Sequence, residues 1–233
     1  MGRNKLISVK NVKGGFWQFW DHPVVSKIWA DYSAGITTVY YTNGSIRSLH
    51  AKCTGYNSQY GTPVSDDGSK LFVGAWEKTL GLTCYSIEQD SVIWQMKRPK
   101  IRQIFCFDDY LVALEAQGAL YKINIQDGKT VARIDNGALE DQFCLSEHTV
   151  FVNSIGKEAC VINTQTMQNV KKYPRSVLNP RGCISFILNR VELSGGRLMI
   201  YGFECIANDT QSGRLSMEPY TRIIDENASE GYV

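Results

Sequence analysis

The architecture is carried by one continuous stretch, Leu111-Val112-Ala113-Leu114-Glu115-Ala116-Gln117-Gly118-Ala119-Leu120-Tyr121-Lys122-Ile123-Asn124-Ile125-Gln126-Asp127-Gly128-Lys129-Thr130-Val131-Ala132-Arg133-Ile134. An apolar run, Leu111–Leu114, meets a turn signal at Gln117-Gly118. An alternating segment, Leu120–Ile123, meets a second turn signal at Asp127-Gly128, and Val131–Ile134 closes the unit. Asp-Gly between alternating segments is a strong hairpin signal, because the tightest turns ask both central residues for positive φ. The stretch therefore reads as an antiparallel meander.

The same grammar recurs outward from it. Apolar runs begin at Leu71, Leu111, Val150 and Leu198, spaced 40, 39 and 48 residues apart. Further hairpins are expected around Asn43-Gly44 and Gln89-Asp90, and a turn at Ser194-Gly195-Gly196 precedes the last run. Short strands ending in acidic turns, at Asp66-Asp67, Asp108-Asp109 and Glu147, precede three of the runs. A period near 40 residues implies supersecondary units that need neighbours to cover their apolar faces. Helix-period stretches with caps are essentially missing.

At Gly118–Lys129, where an alternating strand leads through a turn to Gly-Lys, the chain resembles a β-propeller blade of the quinoprotein-like and WD40-like kind. Trp94, after Val92-Ile93, matches the aromatic that often ends such a blade. The resemblance covers roughly residues 36–206 and implies an all-β chain, a β-propeller of about five blades, each a four-stranded antiparallel meander. One domain over residues 1–233 is expected, with an N-terminal aromatic segment and an acidic tail flanking the repeats. An incomplete propeller, or a sandwich of the same meanders, is the alternative. The chain also departs from the pattern: Arg133 stands where a closing tryptophan would, and Trp20-Asp21 falls outside the repeat. No residues match that family's cofactor site, so no cofactor is implied.

Composition narrows the function classes. Hydrophobic residues make up 43% and charged residues 21%, ordinary for a globular protein. The net charge is only +2, so nucleic acid is not the expected partner. The basic clusters Lys97–Arg102 and Lys171–Arg175 fit solvated loops better than a phosphate-binding surface. No apolar run approaches the roughly 20 residues of a membrane span, and no secretory signal is evident, so a cytoplasmic protein is expected. Seven cysteines without a CxxC pair fit reduced, buried thiols in that compartment.

Chemistry is harder to find. His22, His50 and His148 are isolated from any ligand at metal spacing and read as surface or loop residues, so no metal site is expected. The acidic pairs sit in equivalent turns, where aspartate satisfies backbone donors. Gly128-Lys129-Thr130 lacks the earlier glycine of a phosphate loop, because residue 123 is Ile. The distinctive local feature is Phe16-Trp17-Gln18-Phe19-Trp20. If this segment is a strand, Phe16, Gln18 and Trp20 share one face while Trp17 and Phe19 share the other. Such aromatics either pack a core or anchor a partner. Phe16, Trp17, Trp20 and Trp76 are the candidate partner-binding residues.

These readings converge on a non-enzymatic propeller that binds a protein through loops and faces on a rigid scaffold. In one concrete form it is a bacterial immunity protein or antitoxin that blocks a toxin. The alternative is a hydrolase acting on a glycan-like substrate at the propeller funnel, with Asp67, Asp109 and Glu147 as candidate carboxylates. RNA binding, a third class, would require the two basic clusters to form one surface.

Overall fold

The computed structural model describes residues 4–54, 57, 61–75, 81–97, 100–116, 118–135, 139–146, 148–154, 158–178, 185–207 and 215–225. They form five antiparallel sheets in chain order. The first sheet runs β1 (Lys5–Val12), β2 (Gly15–Asp21), β3 (Val25–Asp31), β4 (Ile36–Tyr41) and β5 (Ile46–Leu49). The second comprises β6 (Lys70–Gly74), β7 (Leu82–Ser86) and β8 (Ser91–Met96), with Val64 bridged to Leu71. The third is β9 (Ile101–Cys106), β10 (Tyr110–Glu115), β11 (Ala119–Asn124) and β12 (Thr130–Asp135). The fourth is β13 (Leu139–Ser146), β14 (Thr149–Ser154), β15 (Ala159–Asn163) and β16 (Gln168–Tyr173). A single helical turn, α1 (Arg175–Leu178), leads to the fifth: β17 (Ser185–Ser194), β18 (Arg197–Ala207) and β19 (Leu215–Asp225). Five consecutive meanders are the five blades of a β-propeller, as the repeat implied. Among the described residues no helix is long and apolar enough to cross a membrane.

One hairpin loop defines the repeat more sharply than the apolar runs do. Strands β3, β7, β11 and β15 end at Asp31, Ser86, Asn124 and Asn163. Four residues further on, Gly35, Asp90, Gly128 and Met167 all have positive φ, of 66°, 46°, 69° and 54°. In each loop the strand-ending side chain accepts from the backbone: Asp31 Oδ1 from Ser33 and Ala34 N–H, Asn124 Oδ1 from Gln126 N–H, Asn163 Oδ1 from Gln165 and Thr166 N–H, Ser86 Oγ from Gln89 N–H. These side chains substitute for the ladder where the strand ends. Asp127-Gly128 is therefore not a two-residue turn. Only Gly128 is left-handed, five residues separate the strands, and a register shift after Lys122 absorbs the extra residue.

The loop at Asp31–Gly35 also places the N-terminal aromatic segment inside the first blade, as β2, rather than beside the repeats. Similarly, the last apolar run is one strand, β18, between two long partners.

The chain divides into two compact units, residues 1–139 and 140–233. In the first, one cluster gathers Phe16, Ile28, Val39, Leu49 and Leu71 from the first two sheets. Another gathers Phe72, Leu82, Trp94, Ile101, Leu111 and Ile123 from the second and third. Fully burying each such side chain contributes about 1.5–3 kcal/mol. The second seam is keyed by Trp94. Its Nε1 donates to the Ile125 carbonyl at 2.8 Å, and a Cβ on Gly128 would lie 2.6 Å from the indole. Gly128 thus serves the left-handed turn and the close approach of the ring together. A buried polar knot ties the first sheet to the second: Gln18 donates to the Asn57 carbonyl and accepts from Thr62, while Asn57 Nδ2 donates to the Gly74 carbonyl at 2.9 Å.

In the second unit, Phe151, Val161, Tyr173, Leu188, Leu198, Ile200 and Ile224 form the core. The Tyr220 hydroxyl donates to the Leu178 carbonyl there, anchoring β19 to α1. Cys53, Cys84, Cys106 and Cys160 are free and buried, as expected of core thiols. Burial pushes Cys53 and Cys84 up to about 12, which keeps them protonated and unreactive.

Candidate functional site

Alternation along β2 splits the aromatic segment as its sequence suggests. Phe16 and Gln18 are fully buried and Trp20 nearly so, on the core face of the first sheet. Trp17 and Phe19 point the other way. Phe16 and Trp20 therefore pack the core, and Trp17 is the candidate whose indole stays reachable. Trp76 lies outside the described residues.

Register builds the outward face row by row. One row runs Lys10, Trp17, Trp29, Thr38, Ser48, and the next runs Ser8, Phe19, Lys27, Tyr40, Ile46. Trp17 and Trp29 are directly opposed, with ring centroids 5.1 Å apart and planes tilted by 39°. Tyr40 adds a third ring, 5.4 Å from Trp17. Lys27 Nζ lies 4.9 Å from the centre of Trp17 and 4.8 Å from that of Tyr40. Cross-strand aromatic pairs and cations over ring faces are each worth about 0.5–1.5 kcal/mol. Phe19 is 36% exposed and Ile46 is 51% exposed at the rim of this cluster.

Cations over rings recur in other sheets: Lys122 over Tyr110, Lys171 over Tyr173, and two arginines that each also have an acid beside them. Arg133 covers Tyr121 in the third sheet and also pairs with Asp135 at 2.6 Å. Arg190 covers Tyr201 in the fifth and pairs with Glu192 at 2.6 Å. Lys27 has no carboxylate partner among the described residues. The two central rows hold Lys10 and Lys27 and no acid. Carboxylates occur only at the ends of the face. Asp31 is spent on its own loop, where the Ala34 N–H and Ser33 hydroxyl hold it below the usual range, and Asp21 sits opposite Lys5. Sequence reasoning saw the tryptophans and missed the charge. Yet residues 1–54 hold seven Lys and Arg against two Asp, a net +5, while the other 179 residues hold 18 against 21, a net −3.

The hydrolytic candidates divide differently. Asp67 caps its own turn, accepting from the Ser65 and Ser69 hydroxyls at 2.6 and 2.8 Å and from Ser69 N–H at 3.0 Å. Against the desolvation of partial burial, those bonds hold it below the ordinary carboxylate range. Asp109 is exposed, its carbonyl accepting from Ile125 N–H at 3.3 Å, and Glu147 lies outside the described residues. The acids brought together are Asp66 and Asp108. Burial, then the Asp108 carboxyl within hydrogen-bonding reach, raises Asp66, with Asn4 opposing. His22, expected to be a surface or loop residue, lies in the β2–β3 loop but is buried there. Its Nδ1 accepts from Val24 and Val25 N–H at 3.2 and 3.1 Å, and burial lowers its pKa. His50 is exposed and meets Asp90 at 2.5 Å, linking the first sheet to the β7–β8 loop. The described residues contain no group of three or more His, Cys, Asp and Glu able to hold a metal ion. The Lys97–Arg102 cluster contains Arg98 and Pro99, which lie outside the described residues, and in Lys171–Arg175 Lys172 pairs with Glu158 at 3.7 Å.

No protein-family model matches the sequence, and no curated protein does. Among solved structures, 852 chains match. One is the crystal structure of BamB from Moraxella catarrhalis, 14% identical with a TM-score of 0.55. The match covers 91% of this chain, which spans 66% of the length of that one. Identity that low carries the propeller fold, and a fold shared so widely does not select a function.

Proposed function

We propose that the chain is a non-enzymatic, cytoplasmic protein-binding propeller that grips its partner with the outward face of the first sheet. The carrying observation is the Trp17–Trp29–Tyr40 cluster, whose rings are partly exposed beside Phe19 and Ile46. Rigid aromatic side chains on a fixed sheet make contact area at low entropic cost, and interface hot spots are enriched in tryptophan and tyrosine. In its finer form, the protein is an immunity protein that occludes a toxin. A stiff face that loses little entropy on docking suits tight, purely steric blockade.

The carboxylates support the non-enzymatic half of this reading. Asp67 is committed to its turn by the hydrogen bonds it accepts there, rather than poised as a free acid or base. Affinity capture with the wild-type chain, compared against Trp17→Ala and Phe19→Ala, tests the proposal. A stoichiometric protein should be recovered by the wild type and lost from both variants, and co-expression of the chain should relieve that protein's toxicity. Equal recovery by the variants contradicts the contact surface. Turnover of a glycan by the purified chain, abolished by Asp108→Asn, contradicts the non-enzymatic reading.

A further inference from the structure

Resting on that reading, we infer that the first sheet's face recognises an acidic protein segment, one that sets carboxylates against Lys27 and Lys10 beside an apolar anchor on Phe19, Trp17 and Ile46. The inference rests on placement and charge. Lys27 is held over two rings at the centre of the face, where its stem is packed and its ammonium has no described acid to meet. Two arginines over rings, Arg133 in the third sheet and Arg190 in the fifth, each have an acid at 2.6 Å on their own sheet. An incoming carboxylate would complete at Lys27 what Asp135 completes at Arg133. Lys10, opposite Trp17 in the adjoining row, is a second exposed cation on the same face.

Other occupants fit less well. A nucleic acid would have to run past the remaining residues, which are net −3 and repel a polyanion. The face also offers no arginine in its central rows for bidentate phosphate contact. A second copy meeting face to face would oppose lysine with lysine. A compact acidic surface fits both the sign and the apolar chemistry, and its attraction acts chiefly on the rate of encounter and on specificity.

Selection of a random peptide library displayed on phage, against the immobilised full-length chain, tests the inference. Enriched sequences should be net acidic with at least one large apolar residue. Their binding should fall at least tenfold in Trp17→Ala. It should fall at least tenfold in Lys27→Glu and in Lys10→Glu/Lys27→Glu, and that double variant should enrich basic sequences instead. Lys10 is exposed, so Lys10→Glu alone reports on recognition even where a change beneath the rings disturbs folding. If Trp17→Ala abolishes binding but the charge variants change nothing, the face is a protein site and acidic recognition is wrong. If neither matters, or nothing enriches, both readings fail. Salt-sensitive binding of a 20-residue oligothymidylate lost in Lys27→Glu overturns the inference in favour of nucleic acid. Concentration-dependent self-association lost in Trp17→Ala overturns it in favour of a second copy.

Discussion

In the third sheet Arg133 lies over Tyr121 and Asp135 neutralises it, whereas in the first sheet Lys27 lies over Trp17 and Tyr40 with no described acid beside it. The third sheet also turns its Tyr121 hydroxyl to Glu115 at 2.9 Å, and burial followed by that carboxylate pushes the phenol up to about 12. Its principal seam, Trp94 on Gly128, faces inward. Both sheets are blades with the same β-loop-β hairpin, closed by a left-handed residue four positions past the strand. One uses aromatics and charge to finish itself. The other leaves them available. The proposed binding face thus differs from the Arg133–Tyr121 pair in whether the cation over the ring has a described anion beside it.

The sharpest way to break this contrast is through the scaffold side. Trp94→Ala removes a buried indole and its bond to Ile125, and should destabilise the chain by about 3–5 kcal/mol in chemical denaturation. Gln18→Ala, beneath the binding face, strands Asn57 and Thr62 partners in the core and should cost about 2–3 kcal/mol by the same measurement. Trp17→Ala should cost only about 1–2 kcal/mol of stability, since the ring is partly exposed, while removing partner binding. If Trp17→Ala proves as damaging to folding as Trp94→Ala, the first sheet's rings are scaffold and the contrast collapses.

A smaller effect concerns Asp66 and Asp108. The folded-state pKa of Asp66 is raised, so its contribution is favourable below the unfolded value, near 3.9, and is lost as pH rises through the folded one. Asp108→Asn should therefore melt slightly above wild type at pH 7, by about 1–2 °C, the scale of an exposed charge pair in a domain of this size. The difference should close below about pH 4. A lower melting temperature for the variant at pH 7 would show that the two carboxyls do not repel.

Much of the scaffold was legible in the chain because its cues are local. Gly128, Trp94 and the alternation through Phe16–Trp20 each say where a strand turns, ends or faces. What was illegible had its local pattern broken for physical reasons. Asp31 and Gly35 are separated by Tyr32-Ser33-Ala34, so the first blade's loop shows no Asp-Gly signal. A register shift between Leu188 and Arg190 puts Asn189 out of step and spoils the period of β17. Pro219 sits mid-strand in β19, tolerated because that strand is a sheet edge. The proposed binding face was half legible: alternation separated Trp17 from Phe16, but only cross-strand register reveals that Trp29, Tyr40 and Lys27 join it. The Asp66–Asp108 contact spans turns of two sheets and leaves no mark on the spacing of either acid.

The central claim is that a cation with no acid beside it among the described residues stands over partly exposed aromatic rings on the first sheet. Tryptophan quenching by iodide against caesium, at matched ionic strength, measures it without a partner. Trp20 and Trp94 are buried, whereas Trp17 and Trp29 are partly exposed beside Lys27. Iodide should quench the wild type about twofold more strongly than caesium, and Lys27→Glu should erase the excess. Equal quenching by the two ions, or an excess untouched by Lys27→Glu, would contradict the account.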